Sequence, residues 1–139
     1  MKKLDRLVII AFALLFAVFS LTAQEKSAKK ETTKSTATAY KGFLVDKMCG
    51  TGFTKAGDVE KATAKAKKHT KDCALEDHCM ASGYGLIMDG KFHKFDAKGD
   101  TLAVHYLNKT KRASNLVVEV KGKMDGDNIM VASLRDGKQ

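Results

Sequence analysis

Three thiols, an imidazole and a carboxylate hold most of the chemical potential of this chain: Cys49, Cys73 and Cys79, with His69 and Asp46. The cysteine count is three, an odd number. Two chemistries suit such a set. One pair of thiols can oxidise to a disulfide and leave the third free. Alternatively all three can share a metal ion with His69, a three-sulfur, one-nitrogen set that suits zinc, or copper(I) with its preference for thiolates. His69 stands four residues before Cys73, which puts both on one face of a helix if the segment is continuous. Met48, His78 and Met80 flank the cysteines and add soft donors. Against the metal, the spacing lacks the paired short C-x2-4-C knuckles of structural zinc sites. A reactive thiol would need a lowered pKa, which His69, Lys68 and Lys71 could supply. His93 and His105 read as ordinary surface or half-buried residues.

The disulfide ranks first, because the chain carries an export signal and exported thiols meet an oxidising compartment. If residues 72–80 form one helix, Cys73 and Cys79 lie about 9 Å apart along its axis and on different faces. A disulfide wants Cα atoms within ~7 Å. Cys49 is then the expected partner of one of them, closing a loop of roughly 25–31 residues worth about 3–4 kcal/mol.

The signal is read from residues 1–23. Lys2, Lys3 and Arg6 precede an unbroken apolar run over 7–19, and small residues follow near Ala23. A run of ~13 residues at 1.5 Å each spans about 20 Å, short of the ~30 Å hydrocarbon core, so cleavage is expected and no stable membrane span remains. Removing 1–23 takes the formal net charge from +9 to +7. Residues 24–39 are Gln24 and then only Lys, Thr, Ser, Glu and Ala, with no large apolar side chain, the composition of a flexible basic spacer. Residues 40–139 are long enough for one ordinary domain.

The elements that must position the thiols follow from pattern. Strands are expected over 42–46, 84–88, 91–96, 116–121 and 128–134. Asp89-Gly90 suits a tight hairpin turn, and Asp125-Gly126-Asp127 a second turn. Asp100 reads as the N-cap of a short helix over 101–108, with Leu102, Ala103, Tyr106 and Leu107 on its apolar face. Phe43, Val45, Leu86, Phe95, Leu107, Val118, Val120 and Val131 are the expected core. Strand, strand, strand, helix, strand, strand is the order of the OB-fold, so the fold class is mainly β with helices: a small OB-like five-stranded antiparallel barrel. An open antiparallel sheet under one helix is the competing reading. A helical insertion at about 52–82 separates the first two strands. One helix starts near Asp58, and Thr70 caps a second that Gly83 ends.

Several segments read together carry a resemblance: G-F-L-V-D-K-M-C-G over 42–50, H-T-x-x-C-A from His69, C-x-x-S-G-Y-G from Cys79, and G-K-x-x-x-F-D-A from Gly90. The chain resembles a group of small exported bacterial proteins with an OB-like barrel and a D-x-x-C…H…C…C pattern. The resemblance spans nearly all of 40–139. It implies the barrel and marks Asp46, Cys49, His69, Cys73 and Cys79 as shared polar positions, and it brings no activity with it.

No nucleophile elbow, zincin helix, phosphate loop or dinucleotide fingerprint is present. The first functional expectation is therefore a non-enzymatic, disulfide-stabilised binding or scaffold domain of the periplasm or exterior, with no cofactor and an unknown ligand or protein partner. The second is a thiol- or metal-handling protein using zinc or copper at the Cys/His cluster. Nucleic-acid binding is disfavoured, because the few aromatics after 1–23 are needed for the core and export separates the chain from nucleic acid.

Overall fold

A computed structural model of the chain describes residues 37–138. The expected signal peptide and the spacer as far as residue 36 lie outside the described residues. Five strands and five helices follow in the order β1 (Thr38–Asp46), α1 (Lys47–Thr54), α2 (Val59–Lys68), α3 (Lys71–Ala74), α4 (Asp77–Ser82), β2 (Tyr84–Met88), β3 (Lys91–Phe95), α5 (Ala97–Lys109), β4 (Val117–Asp125) and β5 (Asn128–Asp136). The strands close into a ring in the order β1-β2-β3-β5-β4. No helix among the described residues is long and apolar enough to cross a membrane.

The ring is not antiparallel throughout, as had been expected. β3 and β5 run parallel through Lys94↔Asn128 and Phe95↔Ile129, and the other four junctions are antiparallel. Parity requires this: a closed ring with an odd number of strands must have at least one parallel junction. Asp89-Gly90 forms the β2–β3 turn with both φ angles positive, at 48° and 72°, which is the turn whose twist suits a two-residue hairpin. β4 and β5 are long and carry a bulge between Lys121 and Gly122, the usual device for bending a strand around a barrel.

Period-2 alternation separates two apolar layers. Leu44, Tyr84, Leu86, Phe95, Leu116, Val118, Val120, Ile129 and Val131 fill the interior, and Ala103 and Leu107 of α5 pack against them. Phe43 and Val45 point the other way. With Ile87 and Phe92 they form a second cluster on the outer face, covered by Phe53 of α1 and Ala66 of α2. The insertion is thus docked on the barrel wall rather than held off it.

Several boundaries differ from the sequence reading. β1 begins at Thr38, which pairs with Gly122, so Thr38 and Ala39 belong to the sheet rather than to the spacer. Helix begins at Lys47, earlier than the expected insertion start at about 52. α5 starts at Ala97 because Asp96 caps it, accepting from Gly99 N at 2.9 Å and from Val131 N at 3.1 Å. Asp100, expected as that cap, instead accepts the Tyr84 amide at 2.7 Å.

Candidate metal centre

Asp46 is the last residue of β1. Alternation turns it to the interior side, and it is fully buried. It is also the N-cap of α1, its Oδ1 accepting from Cys49 N at 2.9 Å. That single bond ties the carboxylate to the first thiol-bearing turn. Further backbone bonds lock the end of the insertion beside it. Lys47 N donates to Gly83 O at 2.8 Å, Met48 N to Ser82 Oγ at 3.3 Å, and Ser82 Oγ to Cys79 O at 2.7 Å.

The continuous helix expected over residues 72–80 does not form. α3 ends at Ala74, Leu75 and Glu76 leave the helical path, and α4 restarts at Asp77. This break removes the axial separation that had kept Cys73 from Cys79. Thr70 caps α3 as expected, accepting from Cys73 N at 3.2 Å. The Tyr84 hydroxyl donates to Ala74 O at 2.7 Å and fixes α3 to the barrel.

The result is a four-residue cluster. Single ligand atoms of Asp46, Cys49, Cys73 and Cys79 all lie within 4.8 Å of one another. The three cysteines are free thiols in the structure. Cys79 is buried, and Cys49 and Cys73 are partly so.

His69, expected as the fourth donor, stands one layer back. α2 ends at Lys68 and His69 is extended, with φ −60° and ψ 132°, so it shares no helical face with Cys73. The segment after it is pinned to the approach of β4: Thr70 bridges Ser114, and Asn115 N donates to Lys67 O at 2.9 Å. The ring packs edge-on against Phe53 at 5.7 Å, and its Nε2 lies 3.0 Å from Asp46 Oδ2. The buried Asp46 carboxylate and the His69 ring thus form a close pair, while His69 Nδ1 is left without a hydrogen-bond partner. Buried polar atoms are rarely left so.

Burial pushes the Asp46 carboxyl up, but the His69 ring and the Cys49 amide outweigh it and hold the group below the ordinary carboxylate value. The thiols go the other way. Burial, then the Asp46 charge and the neighbouring Cys73, push Cys49 up to about 12 and Cys79 up to about 11. The lysines nearby in sequence do not create a thiolate at either position. Lys68 is exposed and Lys71 partly so.

Sequence reasoning put the three cysteines together and noted Asp46 without a role. The signal for that role was present in D-x-x-C, the spacing by which an N-cap carboxylate meets the fourth residue's amide. His93 has a buried Nδ1 without a partner but no second donor with it, and His105 is exposed. Comparison of the chain with protein-family models, curated proteins and solved structures finds no match.

Proposed function

We propose that this protein is an exported, non-enzymatic binding domain whose insertion holds a zinc ion through Cys49, Cys73, Cys79 and Asp46. The observation that carries the reading is the convergence of four donor atoms from β1, α1, α3 and α4 within 4.8 Å, one of them on a fully buried carboxylate. Three sulfurs and one oxygen fill a tetrahedron, the geometry zinc adopts in structural sites. Copper(I) would use the thiolates and leave the hard carboxylate aside, so Asp46 favours zinc. Four protein donors leave no open position for a substrate. The ion would then join the insertion to the barrel and contribute folding energy. His69 fits the role of outer partner to the ligating carboxylate. The strand order, with a helix between β3 and β4, supports the OB-like assignment, and the basic and apolar start of the chain supports export.

A disulfide with one free thiol is the second reading, favoured by the closeness of the three sulfurs. The break between α3 and α4 adds Cys73–Cys79 to the pairings with Cys49. Thiol titration of denatured, unreduced protein decides between the two. The zinc reading expects three titratable thiols after chelation and about one equivalent of released metal. One thiol without metal would refute it. His69→Ala should weaken zinc binding by about 10–100-fold, whereas on the disulfide reading it should barely change stability.

A further inference from the structure

Cys79 belongs to a second group of donors. A ligand atom from each of Glu76, His78 and Cys79 also lies within 4.8 Å of the other two. This group differs from the first in exposure. The His78 and Glu76 side chains are 60% and 55% exposed, while Cys79 is 1% exposed. Cys79 is therefore the one donor shared by a buried set and a solvent-facing set. Glu76 occupies the N-cap position of α4 but makes no capping bond. Its carboxylate instead lies 3.3 Å from His78 Nε2. The electrostatic setting adds a second argument. Lys61, Lys65, Lys67 and Lys68 are all exposed on α2, and the chain after residues 1–23 carries +7. Asp72, Glu76 and Asp77 form an exposed acidic stretch on α3 and α4. A cation is repelled over much of this surface and drawn toward that stretch.

We infer that Glu76, His78 and Cys79 form an outer zinc-class site that captures the ion and passes it to the buried cluster through Cys79. The inference rests on the zinc reading and deepens it by supplying an entry path. Carboxylate, imidazole and thiolate are all ordinary zinc donors. Capture forms a sulfur–metal bond as the Cys79 thiol releases its proton to solvent. Transfer is ligand exchange without oxidation or reduction. Cys49 and Cys73 each lose a proton to solvent as their sulfurs replace the His78 nitrogen and the Glu76 oxygen, Asp46 displaces the water in the fourth position to solvent, and the Cys79–metal bond persists throughout.

The test is the rate of metal uptake by the reduced, metal-free, full-length protein, with cobalt(II) alone as a spectroscopic stand-in for zinc. Stopped-flow absorption follows the thiolate–cobalt bonds. The Glu76→Gln/His78→Ala double variant should load at least about tenfold more slowly, reach the same equivalents and final spectrum, and release cobalt to a chelator more slowly by the same factor. Glu60→Gln, the same charge change on an exposed acid of α2, should load at the wild-type rate. Equal loading by the double variant and wild type would overturn the inference and leave the zinc reading standing. Reduced final stoichiometry or affinity in the double variant would overturn it too, by placing Glu76 and His78 in the resident site. A Glu60→Gln slowing as large as that of the double variant would overturn it by reducing the effect to net charge. Failure of the reduced wild-type protein to take up any cobalt or zinc would defeat the zinc reading itself.

Discussion

Asp46 combines three roles in one carboxylate. It ends β1, caps α1 through Cys49 N, and places a carboxylate oxygen within reach of the thiols, with His69 Nε2 3.0 Å from its Oδ2. The roles separate by substitution. Asp46→Asn keeps an acceptor for the Cys49 amide and removes the charge. Its zinc affinity should fall by about 100-fold or more, at the upper end of what altered metal sites lose, as read by competition with a chromogenic chelator. Unchanged affinity would remove Asp46 from the ligand set. Asp46→Ala loses the cap as well, so its metal-free form should be less stable than that of Asp46→Asn by about 1 kcal/mol. Denaturant unfolding in the presence of chelator makes the comparison, and coincident midpoints would refute the capping role.

At the scale of elements, α1 carries Cys49 into the cluster only because Gly50 lets it lie flat on the sheet. A Cβ on Gly50 would sit 2.9 Å from Val45 Cγ2 and closer still to the Phe92 ring. Gly50→Ala should therefore lift α1, lowering both thermal stability and zinc affinity. Asp96→Ala is the matching control outside the insertion. It strands the Gly99 and Val131 amides, at about 1–3 kcal/mol for a buried donor left unpaired. A domain this size loses roughly 4–8 °C for each kcal/mol. Its zinc affinity should stay close to wild type. Equal loss of affinity in both variants would mean that the site reports global stability, not the seating of α1.

Closure of the ring governs the whole molecule. Val118 is fully buried in the interior layer, and Val118→Asp should abolish soluble expression, because an unpaired buried carboxylate costs several kcal/mol. A soluble, cooperatively folding variant would refute the inward assignment of β4. The end of β5 is tied to α5 and the segment after it by Asp136, which accepts from Tyr106 Oη at 2.7 Å and from the Arg112 guanidinium at 3.0 Å. Arg112, then Tyr106, hold the Asp136 carboxyl below its ordinary value. A carboxyl depressed by folding adds stability above its unfolded pKa, near 4, and loses it as pH falls through the folded value. Wild type should therefore melt above Asp136→Asn at pH 7, and the gap should close as pH falls below the ordinary carboxylate range. A gap independent of pH would assign the effect to packing instead of charge.

Local rules were legible in the residues themselves. Alternation in Leu116, Val118 and Val120, the caps Asp58 and Thr70, and the turn at Asp89-Gly90 all act within a few positions of chain, and each formed as its pattern implied. That one junction must be parallel also follows from five strands closing in a ring, though not that it is β3–β5. The order of elements was legible for the same reason; the grouping of all three cysteines was only the second of two readings, and the first left one thiol out. What only the tertiary structure decided was which atoms meet. Whether residues 72–80 bend at Leu75 and Glu76 depends on Tyr84 of β2 holding Ala74, a contact no helical period encodes. The exchange of His69 for Asp46 depends on the chain near Ser114 and Asn115 pinning the segment around His69, some forty-five residues away in sequence. Propensity acts between neighbours along the chain, whereas a donor set closes through space. Which side chains lie close enough to form one follows only from the docking of the insertion on the wall of the barrel.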